Sequence, residues 1–318
     1  MREMPGPVSE AHLHDLSPEA VHLPFEPGPY RMAMGLVSVP ESAWFELDCR
    51  YPAEIAERRR LLRERPAEVF AALPISDLAR REALIAVAGN LSQYHPAWFG
   101  WDGAQLQNRL TSETWNPAEV SPDPLAVAGL LVQEDLCLIQ NSDDGPVFSA
   151  GILCFPSRWR LQEKIGRPLL AVHGSVPFYA ERLGAAVDRF MRNVKEGHVA
   201  CRLNWSVLDD SALFQPTGKW QSAENPDITP DNAGERLHLR VERQTLRRLP
   251  ESKAVLFGIR VHSYPLNIAV KAPAVAEALA AAVRALPTEM SHYKSITPFR
   301  AALVSWLDAR TCTKSSSF

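Results

Sequence analysis

Two hydrophobic periods divide the chain: a helical one towards both ends and a strand-like one through the middle. Residues 51–65 carry Pro52 in a first helical turn. Residues 76–94 open on Ser76 and Asp77, good capping residues, before an apolar stripe of Leu78, Leu84, Ile85, Ala88 and Leu91. Over 96–129 the pattern dissolves into prolines, tryptophans and turn residues, which predicts a long irregular lid or packing loop. From residue 134 the period is two. Apolar runs at 134–140 and 147–155 flank Asn141-Ser-Asp-Asp-Gly-Pro146, a hairpin signal in which Gly145 supplies the turn geometry. Leu183, Ala186, Val187, Phe190 and Val194 then share a helical face that ends near Gly197.

Three further strands are expected at 200–207, 236–242 and 254–262. In the first, Cys201, Leu203, Trp205 and Val207 alternate with Arg202, Asn204 and Ser206, and the other two repeat the pattern. Such alternation gives each strand one packed face, hence antiparallel pairing. A polar insertion at 209–235 separates the first two, and helices at 273–286 and 299–309 close the chain. The expected fold class is therefore α+β: a five-stranded antiparallel sheet with flanking helices, an N-terminal helical extension and C-terminal helices. Residues 1–43 read as an extended N-terminal arm, 44–310 as a single domain and 311–318 as a flexible tail. Without βαβ alternation, a dinucleotide-binding doubly wound sheet is not expected.

Composition narrows the class. Apolar residues at 46% and charged residues at 22% are ordinary for a globular protein, and a net charge of −3 does not call for nucleic acid or an anionic membrane. The first thirty residues carry five acidic side chains and several prolines but no apolar run, and no stretch nears the roughly 18–20 apolar residues of a membrane span. Cys49, Cys137, Cys154, Cys201 and Cys312 are scattered, with no CxxC pair. They read as free thiols of a cytoplasmic protein that builds no iron–sulfur cluster or structural zinc site by itself.

One candidate for chemistry is His173, in Val172-His-Gly-Ser-Val-Pro177 between an apolar run and a helix. Gly174 beside it allows backbone freedom, and a neutral imidazole there can ligate a metal or haem iron or act as a base. The ordinary alternative is a loop histidine bonded to a nearby carbonyl. Another candidate is the pair of polar strand faces, Arg202 and Asn204 on one strand with Arg240 and Glu242 on another. In one sheet they would converge on one side, where guanidinium forks suit a carboxylate or propionate; otherwise they form a solvated, salt-bridged face. The five arginines between Arg236 and Arg248 are diluted by Glu235 and Glu242, so phosphate binding is not favoured. GxSxG, HExxH and glycine-rich phosphate loops are missing.

Several strings, taken in order, resemble one family. They are Trp44-Phe-Glu-Leu-Asp-Cys-Arg-Tyr51 with Arg58-Arg-Arg-Leu-Leu62, Glu134-Asp-Leu-Cys137, Cys154-Phe-Pro-Ser-Arg-Trp159 with Glu163-Lys-Ile-Gly166, the His173 string, Arg202-Leu-Asn-Trp205, and Arg240-Val-Glu-Arg-Gln-Thr-Leu246 with Leu249-Pro250. They look like the haem-binding α subunit of the haem-dependent oxidative N-demethylases, from about Tyr30 to about Lys294. The resemblance implies a PAS-like fold holding haem b, whose iron uses O₂ to remove an N-methyl group from a small, dimethylamine-like secondary amine. Formaldehyde and the shorter amine result. It also implies a partner, a separate flavin and iron–sulfur reductase that supplies electrons. On this resemblance His173 matches the proximal ligand, Arg202, Arg240 and Arg243 are propionate partners or polar groups over the distal face, and Asn204, Glu242 and Gln244 orient them or the substrate. The family pattern has proline where this chain has Ser175. Rival expectations are a PAS-like protein that senses or binds haem or a small ligand without catalysis, and a haem-free structural member.

Overall fold

The alternating centre of the chain forms antiparallel strands in a computed structural model that describes residues 16–121, 123–143 and 145–311. In chain order these are β1 (Val37–Val39), β2 (Phe70–Ala72), β3 (Phe99–Trp101), β4 (Leu106–Asn108), β5 (Glu113–Trp115), β6 (Glu134–Ser142), β7 (Gly145–Ile152), β8 (Val199–Leu208), β9 (His238–Arg248) and β10 (Val255–Pro265). The main sheet runs β1-β8-β9-β10-β6-β7-β2, and β3-β4-β5 form a small separate meander. The five expected strands are the five long ones, and they lie side by side. Short β1 and β2 extend the two edges, so the sheet has seven strands rather than five.

Local chemistry explains most of these elements. The β6–β7 turn closes with Gly145 at φ +109°, a conformation side chains resist, and Ser142 Oγ donates to the Gly145 carbonyl at 2.7 Å. Strand β9 continues past residue 242 to Arg248 because its arginines find partners inside the protein. Arg247 pairs with Glu41 and lies over the Trp44 ring, while Arg248 donates to the Met191 and Val194 carbonyls. The stretch 96–129 is not an irregular lid. It holds the β3–β5 meander and the helix Pro124–Leu131, whose first turn is capped by the Asp123 carboxylate accepting from Leu125 N at 2.9 Å.

Two cores flank the sheet. One joins it to the helices Tyr51–Glu64, Asp77–Tyr94 and Pro124–Leu131. The helix Asp77–Tyr94 buries Ala79, Ala83, Leu84, Val87, Ala88 and Leu91, whereas Leu78 and Ile85 of the expected stripe face outward, 51% and 42% exposed. Small alanines on the inner face let it pack against Pro124–Leu131. The second core joins Val207, Leu239, Val241 and Tyr264 to Leu279, Val283, Leu303 and Trp306 of the helices Pro273–Ala285 and Arg300–Thr311. Among the described residues, no helix is long and apolar enough to cross a membrane. The arm, from residue 16 on, runs extended until β1 pairs with β8, with Val37 opposite Cys201. The start of the expected arm and all but the first residue of the expected tail lie outside the described residues.

Candidate functional site

Register decides which polar side chains meet. Arg202 of β8 stands opposite Gln244 of β9, Asn204 opposite Glu242, and Gln244 opposite Ile259 of β10. Paired residues project from the same face, so these groups floor one cavity together with Phe257, Ile139 and Phe148. Its volume is about 770 Å³, the size of a cofactor pocket. Residues from 169–183, from Met290 to Ser295 and from the arm between Leu23 and Gly35 complete the lining.

His173 follows the single helical turn Leu169–Val172 and lines the cavity. Its Nδ1 bonds the Leu169 carbonyl at 2.9 Å, and its ring stacks on Tyr179, with centroids 4.4 Å apart and planes 13° from parallel. Phe178, at φ +64°, turns the chain so that Tyr179 folds back over the imidazole. Such positive φ at a bulky residue is strained, and strain of this kind gathers at functional sites. Gly174 contributes close approach rather than unusual backbone angles: a Cβ there would lie 3.3 Å from the Ala171 carbonyl oxygen. Burial lowers the His173 pKa to about 4 against the effect of the Leu169 bond, helped by the charges of Lys164, Arg202 and Lys219. The imidazole is therefore neutral at pH 7. With the Nδ1 proton given to a carbonyl, the lone pair rests on Nε2.

The floor is a hydrogen-bonded array centred on Glu242. Its carboxylate accepts from Ser157 Oγ at 2.5 Å, Gln244 Nε2 at 2.8 Å and Asn204 Nδ2 at 3.2 Å. Burial pushes this carboxyl up, but the Ser157 and Asn204 bonds, the Arg240 charge and the Gln244 bond outweigh it and leave it ionised below the usual range. The surrounding wall is cationic: among the described residues Arg31, Arg158, Lys164, Arg202, Lys219 and Lys294 line it against Glu26 and Glu242. Among the described residues, neither the buried Arg202 Nε nor the buried Tyr179 hydroxyl has a hydrogen-bond partner. Desolvation lowers Lys294 to about 8, against the pull of Glu242, while its Nζ donates to the Trp205 carbonyl.

Two of the residues singled out in the sequence stand elsewhere. Arg240 projects from the same face as Glu242 but does not line the cavity: at 2% exposure it donates to Ser157 Oγ and to the carbonyls of Phe155, Pro156, Ala212 and Leu213. Arg243 projects from the opposite face of the sheet, where it holds Glu46 at 3.0 Å and the Ala43 and Trp44 carbonyls. The remaining five, His173, Arg202, Asn204, Glu242 and Gln244, all line the cavity. Sequence reasoning missed Tyr179, Lys219 and Lys294, which carry no motif. Lys164 lies within a string already quoted for the resemblance, Glu163-Lys-Ile-Gly166.

Comparison with known families adds a match over most of the chain. Residues 35–304 match the family described as haem-dependent oxidative N-demethylase, alpha subunit-like. The chain belongs to that family. The match covers the main sheet, the whole His173 wall and the floor, and it starts within the arm at Gly35. Family membership indicates haem dependence and an oxidative enzyme, and the α-subunit-like description points to a multi-subunit assembly.

Proposed function

We propose that the cavity takes haem b, with His173 as the residue that would hold its iron, and that the protein oxidatively removes an N-methyl group from a small secondary amine of the dimethylamine kind. The observation that carries this reading is the state of His173: neutral, ring fixed by Tyr179, Nδ1 tied to a carbonyl, and Nε2 left as the donor atom. A bond from the second ring nitrogen to a carbonyl is the usual way a protein orients a ligating histidine and raises its basicity. The floor and walls also suit the group. Phe257, Ile259, Ile139 and Phe148 offer apolar surface to a macrocycle, and Arg202, Lys164 and Lys219 offer cations to its propionates. When bound, haem supplies the oxidising chemistry with O₂.

The chain's own residues bind and orient. Glu242, ionised and facing the cavity, is the group for a protonated amine, with Asn204 and Gln244 fixing its carboxylate. Arg240 acts one step removed as a positioning residue: it holds Ser157, which donates to Glu242. Arg243 takes no part in binding on this reading. Electrons come from a separate flavin and iron–sulfur reductase. Cys137, Cys154 and Cys201 are free thiols buried in the fold, which supports a cytoplasmic setting. The PAS-like reading is supported by five contiguous long strands in which the last strand, β10, meets the first, β6.

The test is formaldehyde release from dimethylamine by haem-loaded protein with an artificial reductant. Turnover is expected, and Glu242→Gln should raise KM for the amine at least tenfold while leaving the haem spectrum unchanged. Haem binding without formaldehyde from any small N-methylamine would favour a sensing role.

A further inference from the structure

On the face of the sheet opposite the cavity, the arm crosses β10 and is fastened there. Tyr264 of β10 donates its hydroxyl to the Ala20 carbonyl, and Cys49 N donates to the Ser17 carbonyl at 2.9 Å. Between these ties three side chains converge. His262 Nε2 lies 3.1 Å and His22 Nε2 lies 3.2 Å from the same oxygen, Oε2 of Glu46. The two imidazoles face one another at 4.9 Å between centroids, tilted by 55°, and the three ligand atoms all lie within 4.8 Å of one another.

We propose that His22, His262 and Glu46 form a binding site for a divalent first-row transition metal, separate from the haem cavity. The donor set carries the inference. Two imidazole nitrogens and one carboxylate oxygen are the ligands that zinc and iron(II) take, leaving further positions for water. With metal–ligand bonds of about 2.1 Å, neighbouring ligand atoms lie about 3.0–3.4 Å apart, and both observed nitrogen–oxygen spacings fall within that range.

The surroundings prepare the ligands. Glu19 Oε1 stands 3.1 Å from His262 Nδ1. A carboxylate there draws the proton to Nδ1 and turns the Nε2 lone pair towards Glu46, the carboxylate–histidine–metal arrangement of many sites. Arg243 engages only the other oxygen of Glu46, Oε1 at 3.0 Å, so Oε2 stays available. An ion here would join the arm, through His22, to the sheet, through His262. The arm beyond His22 lines the cavity from Leu23 onward, so the site would tie that lining segment to the sheet.

The competing account is a doubly protonated His262 bonded to Glu19 and Glu46 with no ion. Calorimetric titration of EDTA-treated full-length protein with ZnCl₂ separates the two. One saturable Zn(II) per chain is expected, weakened at least tenfold in Glu46→Gln and in His22→Gln, with the near-ultraviolet circular dichroism of His22→Gln matching wild type. His22 is only half-buried and reaches in from the arm, so its replacement tests the ligand set without cutting into the core. Absence of stoichiometric binding, or binding unchanged in both variants, would overturn the proposal. Because the readout is zinc rather than turnover, it stands apart from whether the cavity holds haem.

Discussion

The imidazole of His173 lies flat on the ring of Tyr179, 4.4 Å away and 13° from parallel, across a turn strained at Phe178. The contact fixes the ring plane, while the Leu169 carbonyl fixes its rotation. Aromatic pairs of this kind contribute about 0.5–1.5 kcal/mol beyond burial. Tyr179→Ala should therefore weaken haem binding by about tenfold in a haem titration, a factor that corresponds to about 1.4 kcal/mol. Tyr179→Phe should bind as wild type, because the hydroxyl it removes is buried without a partner. Equal loss in both variants would show that the hydroxyl, not the ring, matters.

Arg202 predicts effects of opposite sign. Its Nε is buried without a hydrogen-bond partner among the described residues, and desolvation lowers its pKa against the pull of Glu242. A desolvated cation with an unpaired N–H costs folding energy but attracts an anion. Arg202→Met should raise the urea midpoint of haem-free protein and weaken haem affinity at least tenfold. A variant that loses both stability and haem would place the arginine in the scaffold instead.

Arg240 is the contrasting case. Removing it frees four backbone carbonyls and Ser157 Oγ from their buried donor. Arg240→Met should destabilise the fold by about 3–5 kcal/mol in urea unfolding, whether or not haem is present. Stability within about 0.5 kcal/mol of wild type, the range of ordinary surface substitutions, would contradict the role described for it.

What was legible in the sequence follows from these packing relations. Arg202, Asn204 and Glu242 could be grouped because strict alternation on two long strands leaves little freedom of register, whereas Gln244 lies past the expected end of its strand and was picked out by the resemblance alone. The β3–β5 meander was hidden because three-residue strands are too short to display a period. Its turns are set by side chains instead, as where Asp102 accepts from Ala104 N and Gln105 N, and Asn108 from Leu110 N. The far end of β9 was hidden for another reason: Arg247 and Arg248 look like surface residues until their carboxylate and carbonyl partners are known. Lys219 and Lys294 reach the cavity from segments with no periodic signal. Arg243 differs again, since its neighbour Glu242 faces the cavity and alternation alone sends Arg243 to the other side.

Glu134 sets a pH dependence. It is fully buried, accepts from Glu46 N at 3.1 Å through Oε1, and leaves Oε2 unpartnered. Burial pushes its carboxyl up to about 7, against the pull of Arg260, from an ordinary value of 4.5. The folded protein thus holds this proton more tightly than the unfolded chain does. The stability it contributes is complete below about pH 4.5 and is lost as pH rises through 7. Glu134→Gln keeps the acceptor without the charge. Relative to wild type it should gain stability between pH 5 and pH 8 by at most about 3 kcal/mol, read from urea unfolding at the two pH values. An identical change in both proteins would contradict the assignment.

The central claim is that His173 Nε2 would be the protein's ligand to a haem in this cavity, and the absorption spectrum of haem-loaded protein tests it most directly. Wild type should bind one haem per chain with a sharp Soret band. His173→Gly should shift that band and bind haem more weakly, and added imidazole should restore the wild-type spectrum. A well-folded wild-type protein that stays colourless with haem, or a His173→Gly spectrum identical to wild type, would contradict it.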